Sequence, residues 1–403
     1  MLKTFLLAGT AIAIGAGAAG SASAQISNDA VRIGVLNDRS GIYADLSGEG
    51  SAVAARMAAE EFGGNIAGAP IEIVVGDHQN KADIAANTAR QWVDTDNVDV
   101  VADVPNSAAA LAVQEIMRDR KHILLMSGPG STDLTGKACS PYGFHWTYDN
   151  YAMAAGTGRA MYEQGNEKWF FLTADYAFGH SLENETTKMV QSLGGEVAGT
   201  VRHPLGTADF SSFLLQAQGS GADVIGLANA GSDTTNAIKQ ASEFGITQAG
   251  QNLAGLLLFI TDVHALGLEA AQDLMLTTGF YWDRDDATRE WSAKFESLHG
   301  SKPTMVHAGV YSAVRHYLQA VKDAGTDDAD AVSAKMREMP VNDMFASDGK
   351  ILPNGRMVHD MYLARVKKPS ESQGPWDYYE IVSTMPADQA FLAPADSGCA
   401  LVN

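Results

Sequence analysis

Cysteine is nearly absent from this chain: 403 residues carry two, Cys139 and Cys399, far apart. That spacing excludes a CxxC redox motif and the closely spaced Cys/His sets that hold structural zinc. Positive charge is also short. Lys and Arg number 28 against 48 Asp and Glu, a net charge of −20, which opposes binding to nucleic acid or to anionic membrane surfaces. Beyond the first 24 residues no stretch approaches the roughly 18 consecutive apolar residues of a membrane span, so direct membrane insertion is not expected. Catalytic signatures are missing as well: there is no GxSxG elbow, no GxxxxGK[ST] phosphate loop, no HExxH pair and no carboxylate cluster with EF-hand spacing. The ten histidines are scattered, and His299, His307 and His316 are too far apart to present a compact metal triad on one helical face. No catalytic residue, metal or cofactor is expected.

What is present begins with an export signal. Lys3 supplies the positive start, residues 5–19 the apolar run and Ala22-Ser23-Ala24 the small-residue cleavage site. The mature chain then starts at Gln25, with 379 residues and a charge of −21. No Cys follows the cleavage site, which argues against a lipid anchor, and the expected location is the periplasm. Gly15-Ala16-Gly17-Ala18-Ala19-Gly20 satisfies GxGxxG, but within a discarded signal it does not indicate a dinucleotide site. In an oxidising compartment the two lone cysteines, Cys139 and Cys399, are expected to be bonded to each other.

The mature length suggests about two domains. Short β-branched runs at 31–36, 71–76, 98–102 and 123–126 alternate with Ala-rich amphipathic stretches at 50–62, 82–95 and 107–119. This order predicts a parallel sheet with helices on both faces. The rhythm restarts after Tyr148, with strands at 169–173, 196–201, 224–228 and 253–257 and helices at 151–164, 179–193, 210–218 and 233–244. The expected fold class is therefore α/β, two similar Rossmann-like lobes. Three helices (286–299, 304–324, 330–339), two strands (361–367, 378–383) and a tail from Pro386 complete these lobes rather than forming a third domain.

The most informative stretch is 122–135, HILLMSGPGSTDLT. An apolar run breaks into Ser127-Gly128-Pro129-Gly130-Ser131-Thr132, a hydroxyl- and glycine-rich loop at the carboxyl end of a parallel strand, where open α/β sheets bind ligands. An ordinary capped turn would read the same way. Polar and aromatic residues recur at other strand ends: Tyr43 after the first strand, Pro105-Asn106-Ser107 after the third, Tyr176 and Phe178, Asn229 and Asp233, and Tyr281-Trp282 where the chain should cross back. Ser107 is expected as the N-cap of a helix whose free N–H groups favour an anion. Tyr43, Tyr176, Phe178, Tyr281 and Trp282 could wall an apolar cleft or simply pack.

Together these segments resemble the branched-chain amino-acid-binding family of periplasmic solute-binding proteins of ABC importers, the type I periplasmic binding protein fold. The resemblance covers nearly the whole mature chain and includes Val31-Arg32-Ile33-Gly34-Val35-Leu36, Phe144-His145-Trp146-Thr147, Asp175-Tyr176-Ala177-Phe178-Gly179 and Asn229-Ala230-Gly231-Ser232-Asp233. It implies two lobes with parallel sheets joined by three hinge crossings, near 146–147, 280–281 and 340–341. The N-lobe would take 25–146 and 281–340, the C-lobe 147–280 and 341–390, and residues 391–403 a tail tied back to the N-lobe. It also implies that Asn106, Ser107, Pro129, Gly130 and Ser131 hold the charged end of a small-molecule ligand, with Ser107 and Ser131 as anchors. Phe178 would be an aromatic wall, and Asn229 and Asp233 would close from the other lobe. Family members that bind aliphatic amino acids place a Glu where this chain has Leu258-Phe259-Ile260. Without that acid a ligand ammonium would be costly to bury, so a carboxylate with an apolar body fits better. The surroundings of Asp133 to Cys139 and of Phe144 to Thr147 look most like the subgroup associated with aromatic acids.

The expected function is the substrate-binding component of an ABC importer, acting as a monomer with a membrane permease as partner and a small organic carboxylate as cargo. The alternatives are a branched-chain or other amino-acid or amide binder, a periplasmic ligand sensor and, disfavoured by the missing nucleophile–base pairs, a hydrolase.

Overall fold

The structure, a computed structural model, describes residues 26–66 and 68–402; the expected export signal lies outside them. Buried apolar runs make the first sheet. Its strands are β1 (Val31–Asn37), β2 (Asn65–Ile66), β3 (Ala69–Asp77), β4 (Val100–Asp103), β5 (Ile123–Met126) and β6 (Gly143–His145). Their order is β2-β3-β1-β4-β5-β6, parallel except for the β2–β3 hairpin. β4 and β5 are buried at every residue, as strands covered by helices on both faces must be.

The second sheet is built from β7 (Lys168–Ala174), β8 (Glu196–His203), β9 (Val224–Ala228) and β10 (Asn252–Gly255), parallel and ordered β10-β9-β7-β8. Beside β10 lies β11 (Met275–Thr278). It opens a small antiparallel sheet with two later strands. The fold class read from the sequence is the one observed.

Returning from β11, the chain lays helices Asp286–His299 and Met305–Ala324 onto the first sheet's layer. The longer helix starts at Thr304, whose hydroxyl accepts the His307 N–H (3.3 Å) and donates to Leu46 O (2.8 Å). It stops at Gly325, which adopts φ 69°. The short ribbon β12 (Lys350–Ile351) with β13 (Met357–Val358) follows. The sequence reading assigns 341–390 to the second lobe. The structure instead pairs Arg356 with His145 of β6, and the His145 N–H donates to Gly355 O at 2.9 Å. Gly355 and Arg356 thus pair at the edge of the first sheet, while the β12–β13 ribbon pairs within itself. Only β14 (Met361–Val366) and β15 (Tyr379–Met385) rejoin the second layer, as antiparallel partners of β11.

Two local readings change. Residues 143–145, not read as a strand from the sequence, form β6 before the chain leaves the sheet. The single helix expected over 151–164 is interrupted by a π-helical stretch, Ala154–Gly158, between Asn150–Met153 and Arg159–Glu163. The expected bond between Cys139 and Cys399 is present, with Cα atoms 5.7 Å apart. It fixes the tail that leaves β15 to the loop between β5 and β6.

Candidate functional site

The loops at the carboxyl ends of both parallel sheets face one another, and they touch. Tyr43, after β1, and Tyr176, after β7, join hydroxyls at 2.5 Å. The Ser232 N–H donates to Ile42 O at 3.4 Å, and the Thr132 and Ser181 hydroxyls meet at 3.3 Å. Between these contacts lies a narrow cavity lined by Tyr43, Leu46, Pro105, Gly128, Tyr148, Tyr176, Phe178, Ala230 and Leu257. Its free volume, about 10 Å³, is close to that of a single water, so a small molecule enters only as these walls move apart.

Four aromatic rings dominate the walls, and the lining has no Asp, Glu, Lys or Arg. Burial drives the hydroxyls of Tyr43, Tyr148 and Tyr176 far above the ordinary tyrosine range, so all three stay neutral. Tyr148 donates to Gly128 O at 2.5 Å. In the Tyr43–Tyr176 pair one hydroxyl donates to the other, which leaves one O–H donor unspent.

The floor beside Pro105 is held by a strained turn. Asp103 and Val104 have φ 82° and 51°, a left-handed conformation that costs a β-branched residue on the order of 1–3 kcal/mol. The fully buried Asp103 carboxylate secures it, accepting from the Ser47 hydroxyl (2.6 Å) and from Asn37 Nδ2 (3.1 Å). Desolvation raises its pKa. No glycine marks this turn, so the sequence carries no sign of it.

Of the site residues read from the sequence, the structure brings Tyr43, Tyr176 and Phe178 to the cavity wall. Asn106, Ser107, Pro129, Gly130 and Ser131 form the layer behind it. Asn106, not Ser107, is the N-cap of helix Ser107–Asp119, its Oδ1 accepting the Ala109 N–H at 3.0 Å. The Ser107 hydroxyl accepts the N–H groups of Gly130 and Ser131, both at 3.2 Å, and the Ser131 hydroxyl accepts that of Asp133. The two serines therefore shape the loop at the helix start. Pro129 O receives His145 Nε2 at 2.6 Å.

In the second layer Asn229 is bound to His203 and Thr234. Asp233 accepts the Gly206 N–H, and burial raises its pKa to about 6. Phe259 stands edge-on to Tyr148. Tyr281 lies apart from the cavity wall: it packs against Tyr379, and its hydroxyl takes the Tyr379 N–H. Trp282 donates its indole N–H to Trp376 O. The wall residues not named as ligand contacts from the sequence are Leu46, Tyr148 and Leu257, together with Pro105, Gly128 and Ala230, which enter that reading only as parts of strand-end loops. Tyr148, two residues past Trp146, had a signal of its own as an aromatic just after a strand.

Asp262, the first acid after the Leu258-Phe259-Ile260 segment, is used locally: it accepts the Phe259 N–H at 2.8 Å and caps its own helix. Burial, assisted by Asp45, pushes its pKa up from 3.8 to about 7. A raised carboxyl pKa contributes stability that is full below the unfolded value and is lost as pH rises to the folded value. The advantage of the natural protein over Asp262→Asn is expected to shrink between about pH 4 and about pH 7 and to stay level above. Urea denaturation across that range checks it, and a pH-independent difference would contradict the assignment.

Two α/β layers with an aromatic-walled cavity between their strand ends give the two-layered fold of periplasmic binding proteins. The chain belongs to the periplasmic binding protein family, whose pattern it matches over residues 30–374. It is similar to a periplasmic binding protein from Burkholderia mallei, at 50% identity and TM-score 0.91, over 93% of this chain and 100% of that one. It is also similar to a branched-chain amino acid ABC transporter periplasmic ligand-binding protein from Burkholderia xenovorans, at 38% identity and TM-score 0.83, with the same coverage. The fold is shared with an ABC transporter solute-binding protein from R. palustris in complex with benzoate, at 21% identity and TM-score 0.81, over 92% of this chain and 100% of that one. Fold and family are those of solute-binding proteins rather than enzymes. Among the described residues no helix is long and apolar enough to cross a membrane.

Proposed function

We propose that this protein captures a small aromatic carboxylate in the periplasm and delivers it to the membrane permease of an ABC importer. The observation that carries the reading is the cavity itself: four aromatic rings, Leu46 and Leu257, and no charged side chain. A flat apolar body fits such walls. A carboxylate end would be met by the spare hydroxyl of the Tyr43–Tyr176 pair and by the start of helix Ser107–Asp119, whose backbone N–H groups and dipole favour an anion. An ammonium has no carboxylate on the wall to meet it.

We take the first lobe to comprise the β1–β6 layer with 281–358, and the second to comprise 147–280 with β14 and β15. The third crossing then falls at His359-Asp360. Ligand touching both lobes would favour the closed form, because only differential affinity shifts such an equilibrium.

A branched-chain amino acid is the second reading, favoured by one atom: Asp233 Oδ1 is buried without a hydrogen-bond partner and its charge bears on Tyr43 and Tyr176. A thermal-shift panel of benzoate, 4-hydroxybenzoate, 3,4-dihydroxybenzoate, leucine, isoleucine and valine separates the two. A true ligand at 100 times its Kd adds about 2.7 kcal/mol to stability. The aromatic acids are expected to shift the transition, and Asp233→Asn is expected to leave their affinity intact or improve it. Shifts with leucine alone, abolished in Asp233→Asn, would overturn the aromatic reading.

A further inference from the structure

Two glycines face each other's lobes where the clamp shuts. Gly130 follows β5, in the first layer. A Cβ built on it would lie 2.5 Å from Asn150 Oδ1, 2.9 Å from the Phe178 ring and 3.1 Å from the Tyr148 ring. All three neighbours follow the first crossing. Asn150 cannot easily swing aside, because it is fully buried and its Nδ2 donates to Phe178 O at 3.2 Å. Gly231 follows β9, in the second layer, and its Cβ would sit 2.3 Å from Ile42 O and 3.1 Å from the Tyr43 ring. Both neighbours belong to the loop after β1. The nearest atoms that a side chain on either glycine would meet thus come from the opposite lobe.

We propose that Gly130 and Gly231 are positioning residues that permit closure: a side chain at either one selectively destabilises the closed form and leaves the separated lobes unaltered. The inference rests on the clamp reading above. A substitution that collides only in one of two states shifts their populations by its cost in that state alone. Gly130 has an ordinary backbone conformation, so Gly130→Ala adds the methyl without backbone strain. Gly231 has φ 60° and would carry local strain besides. Gly206 supplies the control: its φ is 74° and it also faces Ile42, but its Cβ would lie 3.9 Å from that side chain, an ordinary contact.

A ligand-free measurement decides the matter. The Thr132 and Ser181 hydroxyls, 3.3 Å apart across the lobes, mark where a cysteine pair can bond only in the closed form. In Thr132→Cys/Ser181→Cys protein, mild oxidation is expected to form a second intramolecular disulfide, followed by peptide mapping. Adding Gly130→Ala or Gly231→Ala is expected to slow that bond on the order of tenfold, whereas Gly206→Ala leaves the rate unchanged. The thermal midpoint of Gly130→Ala should stay at that of the parent, as a general packing defect would not allow. Equal cross-linking rates in the parent and Gly130→Ala backgrounds would overturn the proposal. A parent pair that never cross-links would overturn the closure reading itself, whichever ligand the protein takes.

Discussion

Arg356→Met is expected to destabilise the protein by about 3–5 kcal/mol, the cost of leaving one member of a buried ion pair alone. Arg356 is 1% exposed. Its guanidinium donates to Trp146 O (3.0 Å), Tyr148 O (2.9 Å) and Met357 O (3.1 Å), and it stands 3.7 Å from Asp149. Its other face lies 4.3 Å from the Phe391 ring centroid. One side chain therefore holds the backbone of the first crossing, the ribbon beside β6 and the C-terminal tail. Burial lowers its pKa to about 10 and raises that of Asp149, so each charge depends on the other. Methionine would fill much of the volume but orphan three carbonyls and the carboxylate. Urea denaturation measures the loss. The double variant Arg356→Met/Asp149→Leu should recover part of it, because replacing both charges removes the desolvation cost. No recovery would show that the carbonyl contacts dominate.

Cys139→Ser/Cys399→Ser is expected to cost about 2–5 kcal/mol. The bond spans 260 residues of sequence, and in the chain-entropy model a loop of that length gains roughly 5 kcal/mol, a value that measured bonds usually undercut. The bond also anchors the segment that brings Phe391 onto Arg356 and within 5.4 Å of His359. Releasing it should loosen the crossings before the sheets melt. Hydrogen exchange would show this as lost protection at 146–149 and 355–359 in the variant. Exchange confined to the tail would restrict the role of the bond to the last residues.

How much was legible follows from the physics of each element. Strands β1, β4, β5, β7 and β9 declared themselves as buried apolar runs between helical patterns. β6 and β11 did not: three or four residues give no period to read, and their partners come from elsewhere in the chain. Pro340-Val341 looks like a boundary in the sequence, whereas the pairing of Gly355 and Arg356 with His145 is a long-range contact without a local signature. At the site, the loops and three of the aromatics were readable because strand ends gather ligands. Leu46, Ala230 and Leu257 carry no chemistry that distinguishes a cavity wall from core. Tyr281 packs on Tyr379, a partner that arrives only through the late antiparallel strands and that no local pattern announces.

The return of helix Met305–Ala324 to the first layer has a consequence for how the chain assembles. That helix packs on β4 and β5 and on helix Gly48–Glu61, and it is buried over most of its length. As the chain emerges from its amino end, the first sheet can pair its strands early, and helix Gly48–Glu61 can cover β1 and β3, but the same face over β4 and β5 stays uncovered until residue 324 has appeared. The β7–β10 sheet, by contrast, draws its strands from one uninterrupted stretch. The half written first thus waits for a helix written after the β7–β10 strands, and the nascent intermediate exposes the β4–β5 surface throughout that delay, where long-range contacts slow folding and invite aggregation.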